Sequence, residues 1–241
     1  MSRSFSQNLT LPSRLSSWFL VISIVGLSMD AVAQSTGRLY DPEPPIDSGY
    51  VRVILASRDA PMDVLVDGQP RVRKLASQEL SEYMVLTEGK HTIALNPVDK
   101  PGAVFSRSID VARGKAVTLA VSALKQDATL FSYEDKGNTN KLKSVLMAYH
   151  LDPKAGSLDI LTGDGGTKVF GGLAYGATAS IQVNPIVVDI IVTSIGDKSA
   201  KSRSTLEMQQ GGTYSVLLLG ANGNKTIMKT TQNRTERYAV K

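Results

Sequence analysis

Residues 50–68 read YVRVILASRDAPMDVLVDG, and this stretch decides the fold class. Two apolar, β-branched runs, 50–55 and 62–66, are separated by a polar bend and closed by Asp67-Gly68. Alternating runs of five or six residues fit strands, and Asp-Gly is a strong signal for a tight hairpin turn. The same rhythm continues outward. Candidate strands follow at 81–86, 91–95, 104–111, 116–123 and 130–133, broken by Glu88-Gly89-Lys90, Asn96-Pro97 and Arg113-Gly114-Lys115. Seven short strands in about 85 residues, with turns every 8 to 12, is the spacing of a β-sandwich.

Residues 135–143 are polar and charged, with Leu142 the one large apolar residue, and read as a linker. The strand rhythm then restarts at 144–149 and 157–161, before Gly163-Asp164-Gly165-Gly166. It runs on through 168–170, 177–183, 186–194, 204–208, 213–219 and 225–230, with a last short run at 237–240. The halves correspond. Val53-Ile54-Leu55-Ala56 pairs with Val145-Leu146-Met147-Ala148, and Asp63-Val64-Leu65 with Asp159-Ile160-Leu161. Leu75-Ala76 answers Leu173-Ala174, and Gly114-Lys115-Ala116-Val117 answers Gly212-Thr213-Tyr214-Ser215. The expected fold is all-β: two tandem antiparallel sandwiches over 50–134 and 144–241, made by internal duplication.

The N-terminal segment lies outside this pattern. Arg3 and Arg14 precede the apolar run 18–29, and Ala31-Val32-Ala33 stands before Gln34. These are the parts of a secretory signal peptide, with cleavage expected between Ala33 and Gln34. Twelve apolar residues span about 18 Å as a helix, short of the roughly 30 Å hydrocarbon core. Residues 34–49 carry Pro42, Pro44 and Pro45 and read as an extended lead-in. Export with no cysteine leaves the core to supply stability alone and fits a bacterial periplasm.

The 241-residue chain carries a net charge of +5, and losing Arg3, Arg14 and Asp30 with the signal leaves 25 basic and 21 acidic residues. That balance suits an anionic polymer and equally an ordinary protein surface. Export argues against nucleic acid as a partner. The only histidines are His91 and His150, in non-equivalent places of the repeat, and no His–carboxylate spacing suggests a metal. A Gly-x-Ser-x-Gly elbow is missing, and Gly163-Asp164-Gly165-Gly166 lacks the Lys-Ser/Thr of a phosphate loop. No catalytic set, cofactor or metal is therefore expected. Asp63 and Asp159 read as braces for turn backbone. Arg52, Arg58, Arg71, Arg73 and Lys74 crowd the first strand and its hairpin, and are the candidate binding residues for carboxylates of a sugar polymer or an acidic partner.

Some segments resemble a known family. Leu39-Tyr40-Asp41-Pro42, Pro45 and Ser48-Gly49-Tyr50-Val51-Arg52-Val53 are similar to the start of mature AlgF-type proteins. Ile181-Gln182-Val183-Asn184-Pro185-Ile186-Val187-Val188 resembles that family's Asn-Pro strand, and Gly211-Gly212-Thr213-Tyr214-Ser215-Val216 its late Gly-then-strand element. Residues 51–95 also resemble a widespread extracellular sandwich module, through the stretch VRVILASRDAPMDVLVDG at 51–68. The likeness to AlgF-type proteins covers residues 38–220. It implies a periplasmic, non-catalytic adaptor in O-acetylation of a secreted polysaccharide such as alginate. The implied partners are a membrane-bound O-acetyltransferase and periplasmic SGNH-type acetyltransferases. Three alternatives stand beside it: a cellulose acetylation adaptor, an independent carbohydrate-binding surface module, and, ranked last, an enzyme or transient acetyl carrier working through one activated side chain.

Overall fold

The structure, a computed structural model, describes residues 46–234 apart from 99, 101, 123–127 and 198. The expected signal peptide, its Ala33–Gln34 cleavage site, most of the Pro-rich lead-in and the run 237–240 lie outside the described residues. Sixteen strands are present among the described residues, and the only helical element is a single 3-10 turn, Asn222–Asn224.

The first eight strands are β1 (Ser48–Leu55), β2 (Met62–Val66), β3 (Gln69–Leu75), β4 (Met84–Thr87), β5 (Gly89–Pro97), β6 (Phe105–Val111), β7 (Ala116–Val121) and β8 (Leu130–Asp135). They form sheets ordered β4-β1-β7-β8 and β3-β2-β5-β6. The second eight are β9 (Ser144–Leu151), β10 (Leu158–Thr162), β11 (Lys168–Leu173), β12 (Thr178–Val183), β13 (Ile186–Ser194), β14 (Ser202–Met208), β15 (Thr213–Gly220) and β16 (Thr226–Gln232). Their sheets, β12-β9-β15-β16 and β11-β10-β13-β14, repeat the order of the first set strand for strand. Two tandem sandwiches of one topology result. Each has a single parallel pair, β1 with β7 and β9 with β15, and is otherwise antiparallel.

Each sandwich closes over its own core. Val51, Val53 and Leu55 of β1 meet Val64, Ile93, Leu95 and Leu119 in the first. Leu146, Leu158, Ile160, Val192, Val216 and Leu218 fill the second. Strand alternation sends the intervening residues to the opposite face. On β1 and β9 that face is not solvent. Ile54, Ala56, Ala120 and Tyr133 pack against Val145, Met147, Tyr149, Leu151, Leu217 and Leu219 in a third core between the sandwiches. This is why β9 is buried along its whole length.

The repeat differs in register from the sequence-based alignment. Tyr50 N–H bonds to Lys115 O, and Val145 N–H bonds to Gly212 O, so Tyr50 corresponds to Val145 and Val53 to Ala148. The pairing of Val53 with Val145 is thus slipped by three residues, an odd number that exchanges the two faces of the strand. Gly114 likewise answers Gly211, both at positive φ. The pairs Asp63/Asp159 and Leu75/Leu173 hold their places. In each sandwich the aspartate accepts from a left-handed residue of a β-bulge: Lys74 N–H on Asp63 (2.8 Å) and Gly172 N–H on Asp159 (2.7 Å).

β3 has no counterpart among the strands expected from sequence. Its composition, QPRVRKL, hides the alternation. The signal was in the turn: Asp67 and Gly68 both take positive φ, the two-residue geometry that obliges the chain to return at once.

Candidate functional site

Three zones lie along β1 where it faces the second sandwich. The first is a buried polar cluster centred on Arg52, which is only 2% exposed. Its Nε donates to Thr118 Oγ1 (2.8 Å), Nη1 to Asn233 Oδ1 (2.8 Å) and Nη2 to Ser215 Oγ (3.0 Å). The Asp135 carboxylate stands 3.6 Å from Nη2, and the Tyr83 ring lies under the guanidinium at 4.5 Å. Asp135 accepts hydroxyls from Thr118, Tyr83 and Tyr149. Burial pushes the Tyr83 and Tyr149 phenols well above the ordinary tyrosine value, so both keep the protons they donate. Arg52, Tyr83, Thr118 and Asp135 belong to the first sandwich, and Tyr149, Ser215 and Asn233 to the second.

Ile54 marks the second, apolar zone, flanked by aromatic rings. Tyr133 meets Tyr149 with centroids 5.3 Å apart, and Phe131 meets Tyr175 at 5.4 Å. Gly176 is held at φ +77°, and a β-carbon there would fall 2.5 Å from the Phe131 ring. The backbone turns beneath that ring only because Gly carries no side chain.

The third zone is open. Four inner strands, β1, β7, β9 and β15, send their C-terminal ends to one place, where their loops enclose a cleft of about 350 Å³. Arg58 borders it and bonds through Nη1 to Asn222 Oδ1. Asp152 forms part of the wall, with Oδ1 taken by Lys154 N–H (3.0 Å) and Oδ2 by the Thr226 hydroxyl (2.7 Å).

The five basic residues expected to form one binding face do not converge. Arg52 is corrected from a surface cation to a buried tie, because the face it shares with Ile54 is covered by the second sandwich. Lys74 is used through its backbone at the bulge. Arg73 is exposed and 3.7 Å from Asp63, and Arg71 donates to Val85 O of the neighbouring edge strand (3.2 Å). Arg58 stands apart at the cleft. Sequence reasoning missed Asp135, Tyr83, Tyr149, Ser215 and Asn233, which no local spacing connects.

Both imidazoles are occupied by the fold. His91 Nδ1 faces Asp67 Oδ2 (2.6 Å) and Nε2 faces Thr87 O (2.8 Å). The Asp67 bond raises the His91 pKa. His150 donates from Nε2 to Gly156 O (2.9 Å) and accepts at Nδ1 from Asp152 N–H (3.3 Å); burial lowers its pKa. The two act on stability with opposite sign. The unfolded chain protonates His150 near the usual value of about 6.5, before the folded chain does. His150 therefore supports the fold fully above that value and less as pH falls through it. His91 supports the fold below that value and loses its contribution as pH rises through its folded pKa. Denaturant titrations between pH 5 and 8 are expected to show a smaller acid loss in His150→Gln and a smaller alkaline loss in His91→Gln (roughly the histidine range). Unchanged slopes in both variants would reject these assignments.

Residues 49–161 match the family model for DUF4397, a domain of unknown function. That match begins in β1 and runs into β10, taking in the 51–68 stretch. The alginate biosynthesis protein AlgF of Pseudomonas putida is 25% identical over 197 residues, covering 82% of this chain and 84% of that protein. AlgF of Pseudomonas syringae pv. tomato is 25% identical over 198 residues, covering 82% of each. The chain is AlgF-like. Two solved structures overlay loosely on the AlgF-like chain. The C-terminal domain of AlgF from P. aeruginosa has 18% identity and a TM-score of 0.33, covering 39% of this chain and 100% of that domain. The Bacillus anthracis TIE protein has 13% identity and a TM-score of 0.23, covering 76% of this chain and 34% of its own.

Proposed function

We propose that this chain is a non-catalytic periplasmic accessory protein in O-acetylation of an exopolysaccharide, alginate being the polymer in the relatives' names. The observation that carries the reading is similarity to alginate biosynthesis proteins across 82% of the chain. The site geometry supports a role without chemistry of its own. Neither histidine is placed to activate a nucleophile, since His91 is held between Asp67 and Thr87 and His150 is buried against Gly156. The aromatic rings support an adaptor over a sugar-binding module. Tyr133 and Tyr149 are buried at the seam and the half-buried Tyr83 ring is covered by the Arg52 guanidinium, so these three offer no platform for stacking on sugar faces.

In this reading the chain holds a membrane-bound O-acetyltransferase and periplasmic SGNH-type acetyltransferases beside the polymer. The sandwiches act as one rigid spacer, because the buried seam fixes one against the other. Acetate per uronate in polymer from a strain lacking this protein tests the reading. Acetyl groups are expected to disappear while polymer yield persists. Unchanged acetylation would remove the accessory role.

A further inference from the structure

We propose that the cleft between the two sandwiches is a docking site for an extended acidic peptide segment of a partner protein. The inference rests on the accessory reading for the identity of that partner, and its test does not. In each sandwich the parallel inner pair makes both strands finish at the same edge, and stacking the inner sheets brings all four ends together. The equivalent loops after β1 and β9 each deliver an exposed cation to the cleft, Arg58 and Lys154.

Neither cation makes an ion pair among the described residues. Arg58 is aimed by Asn222 through one nitrogen, which leaves the rest of its planar fork for a carboxylate. Ser57 Oγ, on the same wall, is buried without a hydrogen-bond partner among the described residues, a condition that favours a ligand able to supply one. Asp59 also lines the cleft and offers an acceptor. Donors for carboxylates beside acceptors for N–H groups match a peptide backbone carrying acidic side chains. Ala56, Gly220, Ala221 and Gly223 keep the walls low enough for main chain to enter, and among the described residues no aromatic ring lines the cleft for a sugar to stack on.

The probe is a hexaglutamate peptide titrated into the isotope-labelled chain and followed by backbone amide shifts. Shifts are expected at residues 56–59, 152–154 and 220–223. Arg58→Glu with Lys154→Glu is expected to weaken binding about tenfold or more, with Arg71→Glu plus Arg73→Glu as a charge-matched control that leaves it intact. All four side chains are exposed, so the amide spectrum of each variant reports folding directly. No shifts, shifts confined to β3, or binding of an oligomannuronate in the cleft with none of hexaglutamate would each overturn the proposal. If acetylation proves independent of this protein, the peptide titration still decides the cleft on its own.

Discussion

Arg52→Met is expected to cost about 3–5 kcal/mol, because it leaves the Asp135 carboxylate buried without its cation. Asp135→Asn is expected to cost a similar amount by stranding the guanidinium. For a chain of this size that is a fall of roughly 6–20 °C in melting temperature. The double variant is the informative one. Strand register makes Met147 the second sandwich's counterpart of Arg52, and Asn233 the counterpart of Asp135. Arg52→Met with Asp135→Asn therefore gives the first half the pair its duplicate already carries. No charge is then buried unpaired, and the double variant is expected to melt above either single variant. Thermal melts of the four proteins close a double-mutant cycle with a coupling of up to about 3 kcal/mol. Additive losses would mean that the two side chains act independently and that the ion pair does not organise the seam.

The second large effect concerns the seam as a whole. Tyr149 is fully buried there, packs against Tyr133 and donates to Asp135. Tyr149→Ala removes the ring and the hydroxyl together, for an expected loss of about 3–5 kcal/mol. Its consequence shows after cleavage. Lys136 and Lys141 are exposed in the connection between β8 and β9, although Asn138 and Asn140 brace that segment through Asx turns. Tryptic nicking there is expected to leave the wild-type halves bound through the third core and eluting as one species in gel filtration. Nicked Tyr149→Ala is expected to separate. Halves that part in the nicked wild type would show that the covalent connection, and not the seam, keeps them together.

Sandwich architecture and its repetition were legible because both rest on local signals. Period-two runs such as 50–55 and turn pairs such as Asp67-Gly68 act over a few residues. The Asp63/Asp159 correspondence was legible for the same reason, since each aspartate caps a bulge only 11 to 13 positions away. Register was less so. In β1 every position but Tyr50 is buried, since both faces are covered, and its end from Val53 to Leu55 is wholly apolar, so that part can be slid along its copy unnoticed. The alignment slip at Val53 follows from this.

By itself the sequence determined that the chain folds as tandem β-sandwiches and lacks cysteine chemistry. It also determined which β1 residues share a face. Only the tertiary structure decided what covers that face. Alternation places Arg52 and Ile54 together, opposite Val51 and Val53, and is silent on whether the layer beyond them is water or protein. Arg52 meets Asn233 across 181 positions of chain, so its burial belongs to two surfaces that come together only after both sandwiches exist. The same holds for the cleft: Arg58 and Lys154 each look like ordinary loop cations until packing of the inner sheets brings their loops to one edge.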